Sequence, residues 1–287
     1  MVFDKANYKL IAIDLDDTMI YQGALSPGVM KALSELSNRG VEIVVATGRS
    51  LSSLPKSVRK LPFIRYAVMS NGACVYDFQK NKVIIENTIE RCMTIEIIKA
   101  TRMLGTMSIC YRDVFMVTPG SYLKFMFFFS KAGKEIFGNK KIREIRKEFD
   151  DTTKIVLSLP SGVRRYSHNV EKILYRFSSE KKLTKALDII KQFPVEAISL
   201  TGLDLEVNAR GITKAHGLQI LCSLLSISPE RTIAVGDGTN DLEMLEFVGY
   251  SIAMGNASEK IKSIADAVAP NVKEDGLATI IKEMYEF

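Results

Sequence analysis

Three carboxylates fall within four residues at Asp14, Asp16 and Asp17, directly after the apolar run Leu10 to Ile13. A run that short reads as a buried strand, and the acids cut it off abruptly. An unpaired buried charge costs several kcal/mol or more, so the acids belong in a mouth at the strand's end, with a cation between them. Asp14 and Asp16 are two residues apart, and an extended backbone would point both side chains the same way. Two hard oxygen ligands facing one spot suit Mg2+, which keeps positions open for water and a phosphate.

Three more polar stops accompany the first: Thr47-Gly48, Lys214 at a helix start, and Asp237-x-x-x-Asp241 with Asn240 inside it. Alone, each has a plainer reading. A lysine opening a helix is usually solvated, Thr-Gly is usually a loop, and an Asn in this setting is commonly an N-cap. Arg49 reads as a partner for an acid and stays outside the site. His168 and His216 have no partners readable in the sequence and stay outside as well. Together the four stops carry more. In an open α/β sheet the carboxyl ends of the strands line one crevice, where ligands bind at the switch in strand order. Acids, a hydroxyl and a lysine converging there imply a metal and a phosphate. The acids serve Mg2+; Thr47, backbone N–H groups near Gly48, Lys214 and Asn240 offer donors to phosphate oxygens.

The elements that must position these residues follow a βαβ rhythm. Ser26-Pro27 opens a helix with Ser as N-cap and Pro at the first helical position. Val29, Ala32, Leu33 and Leu36 share one face, and Asn38-Arg39-Gly40 ends it. Val41 to Ala46 is a nearly continuous apolar strand, as expected in a parallel sheet covered on both sides. A third strand near Tyr66 to Met69 leads to Ser70-Asn71-Gly72, turn chemistry that predicts hairpins with the runs after Ala73 and Lys82. From about residue 85 the rhythm breaks into an α+β segment, with helices near 88–104, 138–149 and 179–192 and strand-like runs at Ser108–Tyr111 and Lys154–Leu159. The doubly wound rhythm is expected to resume near Leu205-Glu206-Val207. Helices after Gly211 and at Leu242 to Phe247 then alternate with strands at Thr232–Val235, Tyr250–Met254 and Asp266–Ala269, before a C-terminal helix.

The 287 residues suit about two domains, with 47% hydrophobic and 25% charged residues, the balance of an ordinary soluble globular protein. The start, Met1 to Lys5, shows no signal peptide, and no apolar run approaches the roughly 18 residues of a membrane span. Cys74, Cys92, Cys110 and Cys222 form no CxxC pair and read as reduced core residues of a cytoplasmic protein. Net charge is +6, but residues 84–195 hold 21 Lys/Arg against 12 Asp/Glu. That asymmetry marks a separate middle domain. It does not indicate nucleic acid, because the basic run Lys140 to Glu148 is interleaved with Glu and reads as a solvated helix face. Tyr122 to Phe129 lacks an RNP-like pattern and is expected as a buried element or a hydrophobic lid surface.

On these residues the chain resembles the haloacid dehalogenase superfamily of phosphatases, in the Cof-like branch with a large α/β cap inserted between its second and third motifs. The resemblance spans the whole length, with all four motifs in order. Asn71-Gly72-Ala73, Ala253-Met254-Gly255-Asn256-Ala257 and Glu274-Asp275-Gly276 also resemble that branch. Asp17 departs from it, since glycine is commoner there.

The resemblance implies a Rossmann-like, doubly wound parallel-sheet core from residues 1–84 and 196–287, with the α+β cap at 85–195. It implies that Asp14 is the nucleophile that forms an aspartyl-phosphate, and that Asp16 is the general acid and base. Mg2+ would be held by Asp14, the Asp16 backbone carbonyl and Asp237, with Asp241 binding through water or orienting the others. Leu15, Thr47, Gly48, Lys214 and Asn240 would bind the phosphate. The expected activity is Mg2+-dependent hydrolysis of small phosphorylated metabolites, sugar phosphates foremost, without nucleic-acid or membrane partners. Specificity is expected in cap residues for which spacing gives no code. Two rivals share the chemistry. A phospho-aspartate signalling receiver would need neither the long insertion nor the Asp16 acid/base, and a phosphomutase would return phosphate to a sugar.

Overall fold

The first strand, β1 (Leu10–Asp14), is buried along its whole length and ends at the first acid. It belongs to a computed structural model that describes residues 7–124, 152–166, 168–199 and 202–286. The Ser26 hydroxyl accepts the Val29 N–H at 3.0 Å and so caps α1 (Pro27–Asn38), whose buried face is Val29, Ala32, Leu33 and Leu36. Then come β2 (Glu42–Ala46), β3 (Ile64–Met69), β4 (Cys74–Asp77) and β5 (Lys82–Glu86). Between β3 and β4, Ser70, Asn71 and Gly72 all take positive φ, and the two strands pair antiparallel across them.

A second set of elements runs α2 (Arg91–Thr101), β6 (Gly105–Cys110), β7 (Phe115–Val117), β8 (Thr153–Ile155) and α3 (Leu159–Arg165). It continues through β9 (Lys172–Phe177), α4 (Glu180–Ile190), β10 (Val195–Ser199) and β11 (Asp204–Ala209). The chain then returns to the first sheet with α5 (Lys214–Leu225), β12 (Thr232–Gly236), α6 (Leu242–Phe247), β13 (Tyr250–Ala253), β14 (Ala267–Val268) and α7 (Gly276–Tyr285).

The chain divides into two compact units: residues 1–48, 54–85 and 213–287 form one, and 49–53 with 86–212 form the other. The first unit is an eight-stranded sheet in the order β14-β13-β12-β1-β2-β3-β4-β5, parallel from β14 to β3. From β1 the chain steps outward through β2 and β3 on one side and through β12, β13 and β14 on the other, which makes the end of β1 the switch point. Leu10, Ala12, Val44, Ala46 and Ala234 on one sheet face pack with Leu218, Leu221 and Cys222 of α5 and Met244 and Leu245 of α6. Helices α1 and α7 pack on each other.

The second unit has a six-stranded sheet, β10-β11-β9-β6-β7-β8, antiparallel except between β7 and β8. Ile109, Ile173, Tyr175 and Val207 from its strands pack with Ile97 and Ile98 of α2, Val163 of α3 and Ile190 of α4.

Two expectations are corrected. Leu205-Glu206-Val207 does not reopen the doubly wound sheet: it lies in β11, which pairs antiparallel with β9 and β10. The second unit therefore runs on to Ile212, and the segment from 196 to 212 belongs with the insertion and not with the core. Cys92 is exposed at the start of α2, while Cys74, Cys110 and Cys222 are buried. The expected helix at 138–149, the basic run at 140–148, the start at Met1 to Lys5 and Phe125 to Phe129 lie outside the described residues. Tyr122 is described, and it packs against Cys110, Phe115 and Val117.

Candidate active site

Register sets the site. Ile13 is level with Val235 on β12, and Asp14 is level with Ala46 on β2. The residues just beyond these positions, Asp237 after β12 and Thr47 after β2, therefore flank Asp14 at the carboxyl edge of three adjacent parallel strands. Past Asp14 the backbone is no longer extended. Met19 and Ile20 turn their N–H groups back onto the Asp14 and Leu15 carbonyls, and Asp17 takes a φ of +54°. The extended run assumed across Asp14 and Asp16 therefore ends at Asp14, and the two acids differ in exposure: Asp14 is buried, whereas Asp16 is exposed. The positive φ also explains the departure at Asp17. Glycine occupies such a conformation without a steric cost, and aspartate is among the few other residues that tolerate it.

Lys214 reaches the site as the first residue of α5. Its neighbour Thr213 caps that helix, the hydroxyl accepting the His216 N–H. The helix start can approach the sheet because Gly72 has no side chain. A Cβ there would lie 2.0 Å from the Thr213 carbonyl oxygen, and Gly72 has a φ of +98° that favours glycine in any case. With its side chain fully buried, Lys214 donates from Nζ to Asp14 Oδ1 at 2.5 Å and to Asp241 Oδ1 at 2.6 Å. Burial by itself lowers a lysine pKa, but the carboxylates on both sides outweigh it, and Lys214 is held protonated well above the ordinary lysine range.

Asp241 accepts from three protein donors. Its Oδ2 accepts the backbone N–H groups of Asp237 at 3.1 Å and Gly238 at 2.9 Å, while Oδ1 takes Lys214. Asp237 accepts the Thr18 hydroxyl at Oδ1 (3.0 Å) and the Asn256 amide at Oδ2 (3.1 Å). Carboxylate oxygens of Asp14, Asp237 and Asp241 all lie within 4.8 Å of one another. Burial pushes the Asp237 carboxyl up to about 6, with the Asp241 and Asp17 carboxylates adding to it against the Thr18 bond and Lys214. Asp14 is raised as well, by burial first and then by Asp241 and Asp16, with Lys214 opposing. Among the described residues, one lysine faces three carboxyl groups here. Hard oxygen donors with such a surplus fit a divalent cation of the Mg2+ type. The Asp16 carboxylate is not among these three.

Thr47 and Asn240 are joined through Asn71. The Asn71 N–H donates to the Thr47 carbonyl at 3.1 Å, and its side-chain Oδ1 accepts the Asn240 amide at 3.4 Å. Thr47 and Leu15 are buried and Gly48 is half-buried. Arg49 belongs to the second unit, where it donates to the Ser53 carbonyl. His216 takes part in the α5 cap through its backbone, and His168 lies 5.5 Å from the Tyr166 ring. Sequence reasoning gave no site role to Thr18, Asn71 or Asn256. Thr18 was legible as the last member of Asp14-x-Asp16-x-Thr18, and the other two stood in stretches that resembled the family without a stated task.

A buried lysine clamped between two acids, beside a third acid and a threonine at the switch point of a doubly wound sheet, offers the charges and donors that a phosphoryl group and a cation would need. The chain belongs to the haloacid dehalogenase-like hydrolases, whose family model matches residues 11–281. It is 26% identical over 289 residues to the 5-amino-6-(5-phospho-D-ribitylamino)uracil phosphatase YcsE of Bacillus subtilis, covering 97% of this chain and 96% of that one. It is 28% identical over 297 residues to the phosphatase YwpJ of the same organism, covering 96% and 99%. A solved haloacid dehalogenase-like hydrolase from B. subtilis superposes with a TM-score of 0.81 at 25% identity, covering 96% of this chain and 99% of the other. The protein is a hydrolase of phosphate esters. Among the described residues no helix is long and apolar enough to cross a membrane.

Proposed function

We propose that the protein is a Mg2+-dependent phosphatase of small phosphorylated metabolites, sugar and sugar-alcohol phosphates foremost, working through an aspartyl-phosphate on Asp14. The observation that carries this reading is the clamp of Lys214 on Asp14 and Asp241, with Asp237 alongside. Lys214 opposes the rise of the Asp14 carboxyl and engages its Oδ1, and Oδ2 is the oxygen assigned to in-line attack. The Asp14 oxygen bonds to phosphorus as the ester P–O bond breaks, and Asp16 gives its proton to the departing alkoxide. Asp16, exposed and now ionised, then takes a proton from water. The water oxygen attacks phosphorus, releasing phosphate and regenerating Asp14. Mg2+ held by Asp14, the Asp16 carbonyl and Asp237 would supply charge neutralisation between carboxylate and phosphate. Asp241, with both oxygens engaged, orients Lys214 and the 237–238 backbone. Thr47, Lys214, Asn240 and the backbone at Leu15 and Gly48 receive the phosphate oxygens.

The ribitylaminouracil phosphate named for YcsE belongs in the first substrate panel, beside hexose and pentose phosphates. Release of inorganic phosphate with Mg2+, and its loss in EDTA with circular dichroism unchanged, is the expected result. Full turnover in EDTA would overturn the metal assignment. An isomeric sugar phosphate in place of free phosphate would indicate a mutase.

A further inference from the structure

Two stretches that accompany the phosphoryl-handling residues, Gly255-Asn256 and Glu274-Asp275-Gly276, form one bracket. A Cβ on Gly255 would lie 2.8 Å from the Asn271 nitrogen, and one on Gly276 would lie 1.9 Å from the Pro270 carbonyl oxygen. The backbones therefore touch where any side chain would separate them. Out of this contact projects Asn256. Its Oδ1 accepts the Val272 N–H at 3.1 Å, and its Nδ2 donates both to the Asp17 carbonyl at 2.9 Å and to Asp237 Oδ2 at 3.1 Å. The orientation of this amide follows from chemistry: Val272 N–H can only donate, and a carbonyl and a carboxylate can only accept.

We propose that Asn256 is a positioning residue that fixes the Asp237 carboxylate against the turn after Asp14, and so sets the site's affinity for its divalent cation. The inference rests on the metal reading above. Two features make the role more than packing. Both oxygens of Asp237 are held, one by Thr18 and the other by Asn256, so the carboxylate has a defined rotation before any cation arrives. The same Nδ2 also pins the peptide leaving Asp17, one residue past the Asp16 carbonyl, where the backbone is at a positive φ and would otherwise relax. Partners that orient metal ligands typically govern about 10–100-fold of metal affinity.

The test measures Mg2+ binding directly, by calorimetry on metal-free full-length protein. Asn256→Leu keeps the branched shape and heavy-atom count and removes every side-chain hydrogen bond; Asn256→Ser is smaller and serves if the leucine variant misfolds. Asn271→Ala is the control: it removes the cap on the Lys273 N–H and loosens the same bracket without touching Asp237. Asn256 variants are expected to bind Mg2+ about 10-fold or more weakly, and the Mg2+ concentration for half-maximal activity should rise in step while kcat at saturating Mg2+ falls less. Asn271→Ala should lower Tm and leave Mg2+ affinity unchanged. Asn256 variants with wild-type Mg2+ affinity, or an Asn271→Ala loss equal to theirs, would overturn the proposal while leaving the metal site standing. Failure of the wild-type protein to bind Mg2+ would instead remove the reading beneath it.

Discussion

At the scale of single residues the site is an arrangement of acids with different burdens. Asp14 is buried and bound to Lys214, Asp16 is exposed, and Asp241 is buried with Lys214 and two backbone N–H groups on its oxygens. The three are not interchangeable, so their substitutions should separate. Asp14→Asn is expected to abolish turnover with the fold intact, because an amide is a poor nucleophile and still fits against Lys214. Asp16→Asn should slow turnover by about 10²-fold, the scale of general acid–base catalysis. Single-turnover kinetics would check both, and normal turnover by Asp14→Asn would remove the nucleophile assignment. The types and spacing of these residues were legible in the sequence. Their orientation was not, because the argument from alternating side chains holds only while the backbone stays extended, and the ladder ends at Asp14 itself.

At the scale of elements, the β3–β4 hairpin and α5 form the platform beneath Lys214. Gly72 is where they meet, and Gly72→Ala places a methyl on the Thr213 carbonyl at a φ that disfavours any side chain. It should destabilise by about 2 kcal/mol or more and, by moving the helix start, reduce turnover at temperatures where the variant is still folded. Wild-type Tm and kcat would show that α5 does not depend on this contact. The same hairpin carries Asp77, which accepts the Lys80 N–H at 3.0 Å and the Arg65 guanidinium at 3.3 Å. Burial raises its carboxyl, but these bonds and the Arg65 charge prevail and hold it below the ordinary carboxylate value of 3.8. A depressed folded pKa means stability that is full above about pH 4 and lost as pH falls through the folded value. Asp77→Asn should therefore cost about 1–2 kcal/mol at pH 7 and progressively less towards pH 3, as thermal melts across that range would show. Equal costs at both ends would argue against an ionised Asp77. Strands and helices at this scale were readable from period and caps, as with Ser26-Pro27. The sheet a strand joins was not. Leu205-Glu206-Val207 alternates as any half-buried strand does, and only its pairing with β9 and β10 assigns it to the second unit.

At the scale of the whole molecule, charge is the property the sequence exposes most directly, and the revised boundary changes its distribution. Residues 86–212 hold 22 Lys/Arg and 15 Asp/Glu, a surplus of +7, while the remaining residues hold 17 and 18. The surplus is smaller than the +9 of residues 84–195 because Glu196, Asp204 and Glu206 now count with the insertion against one added Arg210. A molecule of net charge +6 still attracts a dianionic phosphate ester at long range. At 0.1 M salt such attraction is screened beyond about 10 Å. The hypothesis of steering, motivated by this surplus, has a kinetic signature. With Mg2+ saturating, kcat/KM for a sugar phosphate should fall as ionic strength rises, mostly through KM, and by less for a monoanionic aryl phosphate analogue. If these lysines and arginines serve only to keep the surface hydrated, kcat/KM will be flat with salt for both substrates once viscosity is matched, and steering will have no part in how the substrate arrives.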